Sequence, residues 1–449
     1  MEQHITGKLK LEDMHRHIPH EFMVPAGAQQ ISIQFDFEPK RPPDGGVPHE
    51  ISLSLFDPEH GRGARHNNGD QSIKITAEGA TPGYTEGALQ PGTWTVFIDT
   101  HRIMPPGAIS YTLDIDVSME PTDFTSPQYQ PGKTASRGAG WYKGDLHGHT
   151  LHSDAAWDVP EFVAYARSKG LDFVTLTDHN TVSPLAQHDS LASDDILTMG
   201  GIELTTFRGH ALALGTREWV EWRVLDGTTM KDVARNVIDN GALYVIAHPT
   251  SEGYPYCSGC PWHYMDMMPG ISPAVEVWNG GWSGGSYNDE AVRLYYKWLN
   301  HGHRLIATAG SDIHEPFRET DRPGYNVVYA EDLTETAILG GIRQGHLYLT
   351  SGPDLSFVAA NQQGASAMMG DTLNGNRAEF TVNWRGCQQG FSLQLIGNGE
   401  LIERVPAGDT GETQWEVDAA KPNSWYTVEI RDANGELHAI TNPIFLESE

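Results

Sequence analysis

The period of the hydrophobic pattern changes twice along this chain, and that change restricts the fold more than any other feature. In its first part apolar and polar residues alternate in short runs, such as Gln30-Ile31-Ser32-Ile33-Gln34-Phe35, Glu50-Ile51-Ser52-Leu53-Ser54-Leu55 and Thr93-Trp94-Thr95-Val96-Phe97-Ile98, separated by Gly, Pro and Asp. A period of two puts every second side chain on one face of a strand, so residues 1–120 are expected to form an antiparallel β-sandwich. The polar, proline-containing stretch 121–140 reads as a linker. From Trp141 apolar strands alternate with helical stretches. Leu171 to Leu176, Ile202 to Leu204, Ala211 to Leu214, Leu243 to Ala247, Ala274 to Val277, Leu305 to Ala309 and Val327 to Ala330 have strand character. Pro160 to Lys169, Met230 to Asp239, Asp289 to Asn300 and Glu335 to Arg343 have helical spacing. Such alternation over 141–353 calls for an α/β unit, a β/α barrel or layered sheet. Strand alternation returns over 354–449, an Ig-like β-sandwich. With 449 residues and about 150 residues per domain, roughly three units are expected.

In β/α folds reactive side chains gather at the carboxyl ends of strands. That is where histidines and carboxylates fall here. His147, His149 and Asp154 follow the first strand of the central region, Asp178-His179 follow Val174 to Thr177, and Glu203 sits in Gly201-Ile202-Glu203-Leu204. His210 begins the next strand, His248-Pro249 ends Leu243 to Ala247, and Asp312 and His314 follow Gly310-Ser311. A lone His-x-His is weak evidence in a chain with 21 histidines. Six separated segments carrying His, Asp or Glu at one rim point to a metal site. Mixed imidazole and carboxylate donors suit Zn, Mn or Fe rather than Ca, and the absence of cysteine among them argues against a purely structural zinc site.

The ordered set Asp145-Leu146-His147-Gly148-His149-Thr150 with Ser153-Asp154, Thr177-Asp178-His179-Asn180, Gly201-Ile202-Glu203, Gly209-His210, Ala247-His248-Pro249 and Gly310-Ser311-Asp312-Ile313-His314 resembles the PHP (polymerase and histidinol phosphatase) family of metallohydrolases. The resemblance covers roughly Trp141 to Pro353. The run Gly345-His346-Leu347-Tyr348-Leu349-Thr350-Ser351-Gly352-Pro353, the N-terminal sandwich and the Asn442-Pro443-Ile444 tail are similar to the CehA/McbA branch, named for carbaryl and carbamate-type hydrolases. The resemblance implies a distorted (β/α)7 barrel and two to three divalent ions. It implies one ion between His147, His149, Glu203 and Asp312, a second sharing Glu203 and adding His210 and His248, and a third held by Asp154, His179 and His314. Where the family has glycine after Ser-Asp this chain has Ala155, then Ala156 and Trp157. Asp178 is expected to orient a neighbouring ligand or the backbone rather than to ligate.

Two ions about 3.5–4 Å apart lower the pKa of a shared water toward neutrality, so a metal-bridging hydroxide is the expected nucleophile, with Glu203, Asp312 and His248 bridging the ions and activating it. Hydrolysis of small phosphate mono- or diesters is the leading expectation. Cleavage of a carbamate, ester or amide bond on an aromatic substrate is the second, and a non-catalytic metal-binding interaction module the third. Arg208 and Arg318 are the best-placed cations for a phosphate. The aromatic stretch from Tyr254 to Met268, continued by Trp278 and Trp282, suits either a lid over an apolar substrate or a loop packed on a neighbouring domain. Cys257-x-x-Cys260 is at most a local brace, because no second pair exists. His4, His15, His17 and His20 read as surface residues. No Gly-x-x-x-x-Gly-Lys loop occurs.

Thirty basic residues against 59 acidic ones give a net charge of −29, which disfavours polymeric nucleic acid and anionic membranes as partners. A small-molecule substrate is expected. Three cysteines, no apolar leader and no long apolar window point to a cytoplasmic protein. The flanking sandwiches are expected to control access or to hold a homo-oligomer together.

Overall fold

The computed structural model of the protein describes residues 2–66, 69–318, 321–418 and 424–447. Near the N-terminus two four-stranded antiparallel sheets face one another. One runs in the order Glu2–Leu9, Ile109–Ser118, Gln30–Glu38, Ile73–Ile75, the other His17–Val24, Gly92–Arg102, Glu50–Phe56, Gly61–Arg65. The inward side chains of their alternating runs, among them Ile31, Ile33, Leu53, Trp94, Val96 and Leu113, fill one apolar core.

The central region is mixed rather than a regular β/α barrel. Gly140–Asp145, Phe173–Leu176 and Leu197–Thr206 pair in parallel, and so do Leu243–Ile246, Ala274–Asn279 and Ile306–Gly310. Between the two sets Gly209–Leu214 runs antiparallel to both of its neighbours. The turn from Thr206 to Gly209 is too short for a helix, so this step is a hairpin where a regular barrel has a crossover. Five α-helices accompany the strands among the described residues. No ladder joins Ile306–Gly310 to Tyr325–Ala330 there. Asn326 fills that seam, accepting from Ala309 N at 3.0 Å and donating to Ala309 O at 2.7 Å. In place of the expected distorted (β/α)7 barrel the region is a curled mixed α/β sheet with a side-chain seam.

Local signals account for the helices. Met230–Asp239 begins at Thr229, whose hydroxyl accepts from Asp232 N, and buries Met230, Val233, Ala234 and Val237 on one face. Val159–Ser168 begins at Asp158 in the same way, with Pro160 in its first turn. None of the described helices is long and apolar enough to cross a membrane.

The sheet continues without a break into the C-terminal region, where Leu347–Thr350 pairs with Leu437–Thr441. Ser424–Arg431, Phe391–Gly397 and Glu400–Ala407 extend it. A second sheet, Ser366–Met368, Asp354–Asn361, Arg377–Arg385 and Thr410–Asp418, packs over it on Phe357, Phe380 and Leu393. The N-terminal sandwich sits on the rim of the central sheet. Gly83 N donates to Ser183 Oγ at 3.0 Å, Thr181 Oγ1 donates to Gly83 O at 2.8 Å, and the Arg223 guanidinium lies 3.7 Å from the Phe56 ring.

Candidate metal centre

Strand ends carry the donors, and Glu203 lies at their centre. Its Oε2 is 3.2 Å from His147 Nε2 and 3.3 Å from His149 Nε2. Both imidazole nitrogens also face Asp312 Oδ1, at 3.4 and 2.9 Å. Glu203 Oε1 is 2.9 Å from His210 Nδ1 and 3.1 Å from His248 Nε2. A third group lies beside these, with Asp154 Oδ1 3.1 Å from His314 Nε2 and 3.5 Å from His179 Nε2. His179 also reaches back, its Nδ1 2.8 Å from Glu203 Oε2.

Two donors each about 2.1 Å from one tetrahedral ion lie roughly 3.4 Å apart. The spacings above are of that kind. Glu203 Oε2, His147 Nε2 and His149 Nδ1 are buried without a hydrogen bond of acceptable geometry, as are His210 Nε2 and His248 Nδ1. Leaving such atoms unsatisfied costs about 1–3 kcal/mol each, and divalent ions would relieve part of that cost. The residues present therefore fit divalent metal ions, in the sets His147, His149, Glu203, Asp312 and His149, Asp154, His179, His314, with Glu203 also facing His210 and His248.

Electrostatics agree with this. Burial alone would raise the Glu203 carboxyl, but the charges of His179, His147 and His210 outweigh it and hold Glu203 well below the usual range. Asp312 is held down in the same way against burial by His147 and His149, and Asp154 by His314 and His179. These carboxylates stay ionised and available as donors. The third group faces the cavity: the His314 side chain is 35% exposed and that of Asp154 29%, against 1% for Glu203.

Supporting groups hold the ligands in place. Glu276 Oε1 lies 3.1 Å from His147 Nδ1, while its Oε2 accepts from His248 N and from Asn279 Nδ2, both at 3.0 Å. Gly310 makes room for it, since a Cβ there would lie 2.1 Å from Glu276 Oε1 and 2.4 Å from His147 Cβ. Asp178 accepts from Thr150 N at 2.9 Å, Thr150 Oγ1 at 2.6 Å and Ser153 Oγ at 2.5 Å. It fixes the loop between His149 and Asp154, and burial pushes its carboxyl up to about 6 despite those donors. His248 and Asp312 have φ of 25° and 50°, a left-handed backbone that costs roughly 1–2 kcal/mol for a side-chain-bearing residue. Such strain is tolerated where the surroundings fix the conformation.

Over the ligands lies a cavity of about 570 Å³. His179, Glu203, His210, His248, Asp312, His314 and Asp154 line its floor, Leu151 and Ala155 its side, and Tyr256, Cys257, Ser258 and Cys260 one wall. Cys257 and Cys260 are joined as a disulfide, and Cys260 Sγ sits within 4.8 Å of donors on His210 and His248. The opposite wall comes from the N-terminal sandwich, through Glu50, Arg65, His66 and Arg102. The expected substrate contacts lie elsewhere. Trp278 and Trp282 pack on each other in the core, their ring centroids 4.9 Å apart. Tyr254 is exposed, and Arg208 and Arg318 do not line the cavity. Glu276 and the sandwich residues are not among those the sequence motifs single out. A charge inside the apolar run Ala274-Val275-Glu276-Val277-Trp278 is the available signal for the first. No local signal marks the others.

No family model matches the chain. An uncharacterized protein of Methanocaldococcus jannaschii is 25% identical over 169 residues, which span 35% of this chain and 93% of that protein. Among solved structures, a two-domain protein from Bacteroides vulgatus, described as containing a predicted PHP-like metal-dependent phosphoesterase, is 16% identical. It covers 71% of this chain and 99% of its own, with a TM-score of 0.39. An amidohydrolase from Chromobacterium violaceum is 17% identical, over 40% of this chain and 93% of its own, with a TM-score of 0.25.

Proposed function

We propose that the protein is a metal-dependent hydrolase acting on small phosphate mono- or diesters. The observation that carries this reading is the position of Glu203, whose two oxygens face two different sets of histidines below a cavity lined mainly by charged and polar side chains. Divalent ions bound there supply an activated water and positive charge for the oxygens of the breaking bond. Glu276 fixes the ring of His147, Asp178 fixes the loop bearing Asp154, and Asn279 Nδ2 holds Asp312 Oδ2 at 3.2 Å. Burial of His147, His149 and Glu203 keeps bulk water from the donor atoms. At about 570 Å³ the cavity suits a small molecule.

A carbamate or amide substrate is the second reading, supported by Tyr256 on the cavity wall. Metal analysis of the purified protein with p-nitrophenyl phosphate, bis(p-nitrophenyl) phosphate and 1-naphthyl carbamate separates the two. Turnover of the phosphate esters that falls on chelation and returns with added metal is expected, together with a loss of at least about a hundredfold in kcat for His248→Ala. Turnover of the carbamate alone replaces the first reading with the second. A protein with neither metal nor turnover would be a binding module.

A further inference from the structure

The wall that the N-terminal sandwich presents to the metal centre is built as a polar framework. Glu50 Oε1 lies 2.9 Å from His66 Nε2, and Glu50 Oε2 accepts from Arg102 at 2.8 Å. Arg102 also donates to Pro48 O at 2.9 Å and to Tyr256 O at 3.4 Å, tying this wall to the cysteine loop opposite. The His66 ring is wedged between His101 and His179, with centroid distances of 4.4 and 4.7 Å. The sandwich therefore touches the ligand set itself.

Within this framework two nitrogens are left over. His66 is 8% exposed and its Nδ1 is buried with no hydrogen-bond partner. Glu50 takes up Nε2, which leaves Nδ1 turned into the buried wall without a partner. Arg65 lines the same cavity; its Nε is buried and unpartnered, and the only hydrogen bond its guanidinium makes among the described residues is to Asp70 O at 3.2 Å. Arg102 and Arg62 each have a carboxylate partner, Glu50 and Asp57. Arg65 has none among the described residues. In a chain with 59 acidic residues, a guanidinium at a metal cavity that makes no close ion pair among the described residues, and only a longer-range attraction to Asp70, is free to take an anionic partner from outside the chain. Guanidinium groups match carboxylate and phosphate oxygens.

We propose that the N-terminal sandwich is the specificity wall of this site, and that Arg65 receives an anionic group, carboxylate or phosphate, on the part of the substrate that does not react. The proposal rests on the hydrolase reading for the word substrate, but not on which bond is cleaved. Binding energy from a remote anion orients the reacting group over the metal ligands. Beside Arg65, Glu50 and Arg102 hold the neighbouring His66.

Two non-reacting phosphonates test this, benzylphosphonate and 4-carboxybenzylphosphonate, bound to the metal-loaded protein and measured by calorimetry. The wild type is expected to bind the carboxylated compound at least about tenfold tighter, as one charge-assisted pair in a cavity provides. In Arg65→Met that ratio falls to near one, and Arg65→Lys restores part of it, with metal content at the wild-type level in both. Equal binding of the two phosphonates by the wild type, or an unchanged ratio in Arg65→Met, overturns the proposal. If the ratio behaves as expected while phenyl phosphate is left intact, the phosphoester reading fails and the specificity wall stands.

Discussion

Asn442 brackets Ala307 with both ends of its amide, Oδ1 accepting from Ala307 N at 2.8 Å and Nδ2 donating to Ala307 O at 3.0 Å. The same Nδ2 lies 3.2 Å from Leu347 O. A side chain from the C-terminal region thus takes the place of a strand partner for Ile306–Gly310, the strand that leads to Asp312. Asn442 is 1% exposed, so Asn442→Ala would leave the Ala307 N–H and C=O buried and unpaired. At about 1–3 kcal/mol for each such group, a loss near 3 kcal/mol is expected in urea denaturation, together with weaker metal binding. A loss below about 1 kcal/mol would show that the seam holds without it.

Glu276 serves ligands of two groups at once, and its role depends on being charged. With Oε2 occupied by donors from His248 N and Asn279 Nδ2, a glutamine would turn its oxygen there and present its amide to His147 Nδ1. Two donors would then face each other. His147 would have to move its hydrogen to Nε2, the atom facing Glu203 and Asp312, and would lose the lone pair a metal needs. Glu276→Gln is expected to weaken metal binding by about ten- to a hundredfold with little change in circular dichroism. Wild-type affinity in a competition titration would remove Glu276 from the site.

Much of this arrangement is legible without the fold. Helix Met230–Asp239 is readable because capping and spacing are local properties. The candidate metal donors are readable as a group because few residue types bind metals and most of these lie just past or at the ends of strands. What the sequence hides depends on distance. His66 and His179 are 113 positions apart, and their contact follows from how one unit docks on another. The hairpin Leu197–Thr206 to Gly209–Leu214 looks like two barrel strands until the absence of a helix between them is weighed. Aromatic residues also mislead, because Trp278 and Trp282 continue the aromatic character of the stretch after His248 and yet pack in the core.

Trp278 is the clearest case of that last kind. A bulge between Glu276 and Trp278 breaks the register of their strand, and Trp278 packs on Trp282 and over Gly324, where a Cβ would come within 2.5 Å of the indole. Trp278→Ala should cost about 3–5 kcal/mol of stability, the range for emptying a large buried site. Its effect on affinity for 4-carboxybenzylphosphonate should be no larger than its effect on metal content. A selective loss of phosphonate affinity at full metal occupancy would return Trp278 to the cavity wall.

Glu50 gives the specificity wall a pH dependence of definite sign. Burial would raise its carboxyl, but the hydrogen bond to His66 and the charges of His66, His101 and Arg102 outweigh burial and lower it from an ordinary 4.5 to about 2. A depressed carboxyl stabilises the folded state fully above its unfolded value, and that contribution is lost as pH falls through the folded one. Glu50→Gln, which keeps the shape and removes the charge, should therefore be less stable than the wild type near neutrality. The deficit should be about 3 kcal/mol at most, because each tenfold change in proton affinity between the two states is worth about 1.4 kcal/mol. The gap should begin to close below about pH 4.5, with more than half of it gone by about pH 3. Urea denaturation of both proteins between neutrality and that acid limit measures it directly. A gap that stays constant over that range would mean that the charge on Glu50 does not hold His66 and Arg102 in place.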